Sequence, residues 1–360
     1  MSKTKVALLG TGFIANIHME SYMRFVPDAQ VVAVYSRDGK KAAAFAKEHG
    51  IPQSFDNIDT LLKEADCEVV DICLPNYLHH KACMAAARAG KHVIIEKPLC
   101  LSLEEADEMI AECKKQGKFL MYAEELCFAP KYERARAIIE SGAVGDIFML
   151  KQAEQHSGPH SRWFYEADKA GGGVLMDMGC HAFAWFRWML KNAPAVSVYA
   201  DLSHVMHDTD AEDHSLVIVE FDAPHGKVTG LAQNSWCKQG GMDDHMEVLG
   251  TKGVVFADLF RGNSSLVYSV DGYDYASEKA GGTQGWTFPI FEEVYNQGYP
   301  LELRHFIHCV RTGETPRVTG EDGRAVLEIL NAAYASAKAG CKIKLPFHPK
   351  ADKPWDLWKK

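Results

Sequence analysis

Short apolar runs alternate with amphipathic stretches through the first third of the chain. Residues 6–9, 31–35, 69–74, 92–95 and 119–122 read as strands. Between them, apolar positions recur at helical spacing over 14–25, 39–48, 58–64, 78–89 and 103–116. This alternation predicts a parallel sheet with helices on both faces. Ser102, with Glu105 three residues later, forms a capping box for the last helix. The pattern changes after Ala129. A helix over 130–140 and a strand over 147–154 lead into a glycine-rich loop and a helix over 178–190. Strand then follows strand over 196–205, 215–221, 227–234, 245–249, 254–258 and 264–270. Turn signals such as Ala223-Pro224-His225-Gly226 separate them, and a mostly antiparallel open sheet is expected. Helices over 301–312 and 321–339 close the chain. The tail from Pro346, with Trp355 and Trp358, reads as an arm that packs on its own domain or on a neighbouring subunit.

At 360 residues the chain exceeds one ordinary core, so two domains are expected. The pattern places them at 1–123 and 124–345, with an arm over 346–360. A hydrophobic fraction of 47% and a charged fraction of 24% fit a globular protein. The formal charge of −9, without a basic stripe, disfavours nucleic acid as a partner. The ten cysteines include no C-x-x-C pair, which suits reduced, mostly buried thiols. No apolar stretch approaches the roughly 18 residues of a membrane span, and no signal region precedes the first strand. A cytoplasmic location is the resulting expectation.

Gly10-Thr11-Gly12-Phe13-Ile14-Ala15 joins the first strand to the first helix. The first glycine permits a tight turn, and the second lets backbone approach a pyrophosphate at the positive helix end. A dinucleotide cofactor is therefore expected. The second strand ends in Tyr35-Ser36-Arg37-Asp38. Ser36 and Arg37 lean towards NADP, because an arginine accommodates a ribose 2′-phosphate, while nearby Asp38 keeps NAD open. The third strand ends in Cys73-Leu74-Pro75-Asn76, where Asn76 is placed to cap the next helix and His79 to lie near the cofactor or in that helix's first turn.

Lys97 closes the apolar run Val93-Ile94-Ile95, just after Glu96 and before Pro98. Ligands of open α/β sheets bind beyond such strand ends, where desolvation and a nearby positive charge lower a lysine's pKa. The second chemical motif runs from Gly171 to His181. Its glycines are expected to let backbone pass close to a ligand, and Asp177 and His181 share one face if the segment is helical. A carboxylate that orients an imidazole is an acid–base pair. His156, His160, Arg162 and Trp163 fall in one loop whose mixture suits sugar recognition. The histidine-rich run 204–214 reads as a polar loop, and no metal is expected.

The glycine fingerprint, the Leu74-Pro75-Asn76…His79 segment, Glu96-Lys97-Pro98, Gly145-Asp146-Ile147 and residues 171–181 together resemble the glucose–fructose oxidoreductase, inositol dehydrogenase and rhizopine-catabolism (Gfo/Idh/MocA) oxidoreductase family. The resemblance spans essentially the whole chain. It implies a Rossmann domain, then an α/β domain whose open sheet forms a homodimer or homotetramer interface. It implies catalytic Lys97, Asp177 and His181 and a sugar, polyol or sugar-derivative substrate. The cofactor, NAD or NADP, is expected to meet Gly10, Gly12, Phe13, Ile14, Ser36, Arg37, Leu74, Pro75, Asn76, His79, Glu96 and Lys97. The substrate is expected to meet Glu125, His156, Arg162, Trp163, Asp177 and His181. Where members often carry asparagine and arginine, this chain reads Ala123-Glu124-Glu125-Leu126, so Glu125 stands in for a substrate-contacting asparagine. Hydride transfer between nicotinamide and a hydroxyl or carbonyl carbon is the leading expectation. A redox-neutral enzyme with retained NAD and a non-catalytic cofactor-sensing regulator are the alternatives.

Overall fold

A computed structural model describes residues 2–260, 267–271, 284–287 and 293–359. The chain divides into two compact units, Met1–Phe128 with Gly298–Leu327, and Ala129–Gln297 with Glu328–Lys360. Unlike the expected domains, these units do not follow chain order.

The first unit runs β1 (Thr4–Leu9), α1 (Phe13–Phe25), β2 (Ala29–Tyr35), α2 (Gly39–His49), β3 (Gln53–Phe55), α3 (Ile58–Glu64), β4 (Val69–Ile72), α4 (His79–Arg88), β5 (His92–Glu96), α5 (Leu103–Lys115) and β6 (Leu120–Ala123). All six strands are parallel, in the order β3-β2-β1-β4-β5-β6. Helices on both faces explain the unbroken apolar runs. Val6, Leu8, Val69, Ile72, Val93, Ile94 and Ile95 have no exposed surface. β3 escaped the pattern because Gln53 and Ser54 are exposed on the sheet edge.

Helix ends follow local chemistry. Asp38 caps α2, accepting from the Lys40 and Lys41 amides at 3.0 and 3.4 Å. Ser102 caps α5 through the Glu105 amide at 3.1 Å, but Glu105 reaches back to the Leu101 amide, not to that of Ser102. Asn76 does not cap α4; it opens a short 3-10 turn, and α4 starts after Leu78 without a side-chain cap.

The second unit opens with α6 (Pro130–Glu140), β7 (Ile147–Gln155), the short α7 (Ala167–Ala170) and α8 (Cys180–Met189). Strands β8 (Ala195–Ser203), β9 (His214–Ala223), β10 (Gly226–Ser235), β11 (Asp243–Gly250) and β12 (Gly253–Asp258) follow. β13 (Val267–Ser269) pairs antiparallel with β14 (Gly285–Thr287), and α9 (Glu293–Gln297) comes next. The strand expected over 264–270 lies partly outside the described residues. α10 (Tyr299–Thr312) packs on α1 in the first unit, where the Tyr122 amide donates to the Val318 carbonyl beside β6. α11 (Gly320–Ala339) gives residues 320–327 to the first unit and 328–339 to the second, and β15 (Ile343–Lys344) is the last strand.

The second unit's large sheet has the order β12-β11-β7-β10-β9-β8-β15 and is antiparallel except at β7/β10. Its inner face buries Val217, Val219, Phe221, Ala232 and Val248, and α8 contributes the buried Phe183, Trp185 and Phe186. On the outer face Tyr199, Leu216, Ile218, Val254 and Phe256 are exposed. The arm packs on its own unit, where the Trp355 amide donates to the Gly171 carbonyl.

Candidate active site

In the first unit the predicted residues gather along one sheet edge. The order of β1 and β4 places the topological switch point between their carboxyl ends. Gly10 follows β1, Ser36 follows β2, Cys73 to Asn76 follow β4, Lys97 follows β5, and Glu124 and Glu125 follow β6. Gly10 has φ +130°, and a Cβ there would fall 2.3 Å from the Cys73 carbonyl oxygen. Gly12 is exposed, and a Cβ on it would meet nothing within 4 Å. It is the N-cap of α1, which has no side-chain cap and no acid in its first turn. The start of α1 thus carries no side-chain cap, whereas Asp38 caps the start of α2. A dinucleotide pyrophosphate fits this turn. Phe13 is exposed, Ile14 and Ser36 are half-buried and Arg37 is exposed.

His79 has no exposed surface. Its Nδ1 lies 2.9 Å from the Pro98 carbonyl oxygen and its Nε2 2.8 Å from that of Leu74. Burial lowers its pKa, despite the two carbonyls. It thus ties the turn after β4 to the turn after β5. Lys97 is half-buried, and its amide donates to Glu96 Oε2 at 3.1 Å. Glu124 has no exposed surface; burial raises its pKa to about 8, against the pull of Lys97 and with a push from Glu96. A carboxyl that holds a proton near neutrality thus lies within electrostatic reach of the lysine. Glu125 is buried and accepts from the Tyr299 hydroxyl at 3.0 Å.

In the second unit the mount is a helical turn. Where a helix is expected over 178–190, a π-turn over Leu175–Gly179 comes first, and the α-helix α8 takes over only at Cys180. Asp177 lies in the wide turn and His181 in the α-helix, so the simple four-residue spacing does not describe the pair. Both are buried. The Trp236 indole donates to Asp177 Oδ2 at 3.0 Å. Trp236, Val174 and Met178 form a buried cluster against which Phe164 and Tyr165 pack.

Glu212 fixes the start of the turn. Its Oε1 accepts from the Gly173 amide at 3.1 Å, the Leu175 amide at 2.9 Å and the Tyr334 hydroxyl at 2.8 Å. Burial raises its pKa to about 7 against those bonds. At Gly172 and Gly173 the space beside the backbone is taken by the protein itself. A Cβ on Gly172 would fall 1.9 Å from Tyr334 Oη, and one on Gly173 would fall 1.8 Å from the Glu212 carbonyl oxygen. His156 is buried and its Nδ1 accepts from the Gly158 amide at 3.0 Å, while His160 and Arg162 are exposed. Trp163 stacks on Phe164 at 3.9 Å between ring centroids. Sequence reasoning missed Glu124, Glu212, Trp236 and Tyr334. Only Glu124 carried a local signal, its place after a strand beside Glu125.

Comparison with known proteins settles the class. Residues 4–124 match the model of an oxidoreductase family with an NAD-binding Rossmann fold, and 132–256 match the GFO/IDH/MocA C-terminal domain. The chain belongs to the Gfo/Idh/MocA oxidoreductase family; it is an enzyme with an NAD-binding Rossmann domain. Among its relatives, inositol 2-dehydrogenase of Rhizobium meliloti is 29% identical over 95% of this chain and 99% of its own. A D-xylose 1-dehydrogenase (NADP(+)) of Haloferax volcanii is 30% identical over 94% and 98%. The crystal structure of GenD2 from gentamicin A biosynthesis, in complex with NAD, superimposes with a TM-score of 0.91 at 31% identity, covering 96% of this chain and 97% of that one. No helix among the described residues is long and apolar enough to cross a membrane.

Proposed function

We propose that this protein is an NAD(P)-dependent dehydrogenase of a sugar, polyol or sugar derivative, with Lys97 and His181 as acid–base groups and Asp177 as the orienting carboxylate. The observation that carries the reading is the first unit's sheet edge, where the open Gly12 turn and Lys97 leave carboxyl ends of one parallel sheet. The named activities of the relatives, on inositol and on D-xylose, support the substrate class.

Gly10, Gly12, Phe13 and Ile14 would hold the pyrophosphate, Ser36 and Arg37 the adenosine ribose, and Leu74, Pro75, Asn76 and Glu96 the remainder. Asp38 is engaged as a helix cap, and this favours Ser36 and Arg37 as the discriminating pair, with a lean towards NADP. The bound nicotinamide supplies the hydride acceptor for alcohol oxidation and the donor for the reverse. The chain's own groups handle the proton. Lys97 or His181 takes it from the substrate hydroxyl as the carbonyl forms, and returns it in reduction. Trp236 holds the Asp177 carboxylate in place, and Glu125, His156, Arg162 and Trp163 are assigned to substrate hydroxyls.

The test is a spectrophotometric panel of myo-inositol, scyllo-inositol, D-xylose and D-glucose with NAD and NADP. Lys97→Met should lower kcat on the accepted substrate by about 10³-fold while cofactor titration is kept. Unchanged turnover would remove Lys97 from the chemistry.

We also assign the outer face of the large sheet to self-association. Tyr199, Leu216 and Ile218 are exposed there on the adjacent β8 and β9, and Val254 and Phe256 on β12 towards the other end of the sheet, a cue for pairing of copies. Ile218→Glu should shift the species seen by light scattering towards monomer.

A further inference from the structure

Beneath the glycine turn, the first unit buries a charged network that hydride transfer does not call for. We propose that His18 is a positioning residue for Lys97, acting through Glu96 as an imidazolium clamped between Glu96 and Asp71. The inference rests on the reading of Lys97 given above.

His18 lies on α1 with no exposed surface. Its Nδ1 stands 2.9 Å from Asp71 Oδ2 and its Nε2 2.9 Å from Glu96 Oε1. A neutral imidazole donates from one nitrogen only, so two flanking carboxylates call for two donors. The neighbouring bonds leave both acids as acceptors. The Tyr22 hydroxyl donates to the same Asp71 Oδ2 at 2.9 Å, and the Lys97 amide donates to Glu96 Oε2 at 3.1 Å. Glu96 therefore bridges the ring and the backbone of the residue that follows it. The carboxylate cannot turn away without breaking a charge-assisted bond, and the Lys97 stem leaves the strand from a fixed amide.

Each element packed on the ring brings a titratable group. β4 brings Asp71, and Cys73 just after it has Sγ 3.4 Å from Nδ1. β5 brings Glu96, and α1 itself brings Tyr22. From α10 come Tyr299, whose ring centroid is 6.1 Å away, and Glu302, which bears on the ring electrostatically. Both Glu302 carboxyl oxygens are buried without a hydrogen-bond partner among the described residues, and burial raises its pKa well above the usual range. Burial alone would lower the pKa of His18, but Asp71 and Cys73 raise it well above 6.5. A histidine with a raised folded-state pKa stabilises fully below its unfolded value. That contribution is lost as pH rises through the folded value, so the clamp opens on the alkaline side of that value.

The network also explains why His18 sits on the helix of the cofactor turn. Cys73, its sulfur against the ring, presents the carbonyl that demands glycine at position 10. Two readouts are therefore needed, cofactor affinity and turnover, in the full-length protein. In His18→Gln, kcat on the best substrate of the panel should fall about 10- to 100-fold, the cost of a displaced reacting group. KM and the NAD dissociation constant should stay within about threefold. Glu96→Gln, which keeps acceptor and donor atoms, should retain more kcat than Glu96→Ala. A drop in thermal stability with kcat unchanged would make the network structural only and overturn the proposal. Nitrogen-15 spectra of the wild-type imidazoles provide a test that needs no variant. Both His18 nitrogens should be protonated at pH 7, and a neutral tautomer there would refute the clamp. Retained turnover in Lys97→Met would fail the functional reading instead, in a variant that leaves His18 untouched.

Discussion

Two glycine-rich turns, each leading into a helix, do opposite things. Around Gly10 and Gly12 the chain leaves space. Gly10 folds the turn tightly against Cys73, and Gly12 then faces open volume at the uncapped start of α1. Around Gly172 and Gly173 the space is filled by the protein itself, with Tyr334 and Glu212 where any side chain would stand. The first turn is a cradle and the second a mount. A glycine marks a close approach, and only the structure says whether the approaching group is a ligand or a neighbouring side chain.

The comparison breaks first at Gly173. A methyl group 1.8 Å from a backbone carbonyl cannot be relieved by a rotamer change. Gly173→Ala should cost about 3 kcal/mol or more, read as a large fall in Tm or loss of soluble protein. A variant as stable as wild type would show that the turn is not a mount.

Glu212 tests the same mount through pH. Its pKa is raised from 4.5 to about 7, with burial as the main cause, so folding favours the protonated carboxyl. The contribution is complete below about 4.5 and is lost as pH rises through about 7. Asp244, also buried and raised to about 7, and Glu124, raised to about 8, act in the same direction. Stability should therefore decline from pH 5 to pH 8. Glu212→Gln, neutral at every pH, should remove up to about 3 kcal/mol of that decline. Denaturant midpoints at several pH values for the two proteins check this, and parallel slopes would exclude Glu212 as a contributor.

The difference between the turns also explains what the sequence made legible. The cradle is local: strand, glycines and helix are contiguous, and residues 6–25 contain the whole signal. The same holds for Lys97, because a strand end is visible in the run before it. The mount is not local. Glu212, Trp236 and Tyr334 lie far along the chain from Gly173, and nothing in their own surroundings marks them. The π-turn over Leu175–Gly179 was equally hidden, because its composition suits an α-helix. The return of Gly298–Leu327 to the first unit is a tertiary choice that helical periodicity does not encode. His18 falls within the amphipathic stretch over 14–25 and carries no mark of its own there, since both carboxylate partners come from later strands.

Trp236 gives a smaller effect. Its indole is the donor to Asp177, so Trp236→Phe keeps most of the apolar contact with Val174 and Met178 and removes one hydrogen bond to a charged group. The expected cost is about 1.5–3 kcal/mol, appearing mainly in kcat if Asp177 orients the acid–base pair. A change in KM alone would instead place Asp177 in binding.

Gly12→Ala should disturb the fold least, and it isolates the cradle. The added methyl meets nothing within 4 Å, and Gly12 has φ −90°, where alanine is unstrained. Stability should stay within about 0.5 kcal/mol of wild type. Cofactor affinity should still fall, by about tenfold, because the methyl occupies the volume through which backbone amides approach a pyrophosphate. Thermal melts with and without NAD separate the two effects: the apo midpoint should hold while the NAD-induced rise shrinks. If Gly12→Ala lowered the apo midpoint as Gly173→Ala is expected to, the open volume at α1 would be part of the fold's own packing, and the contrast between the two turns would disappear.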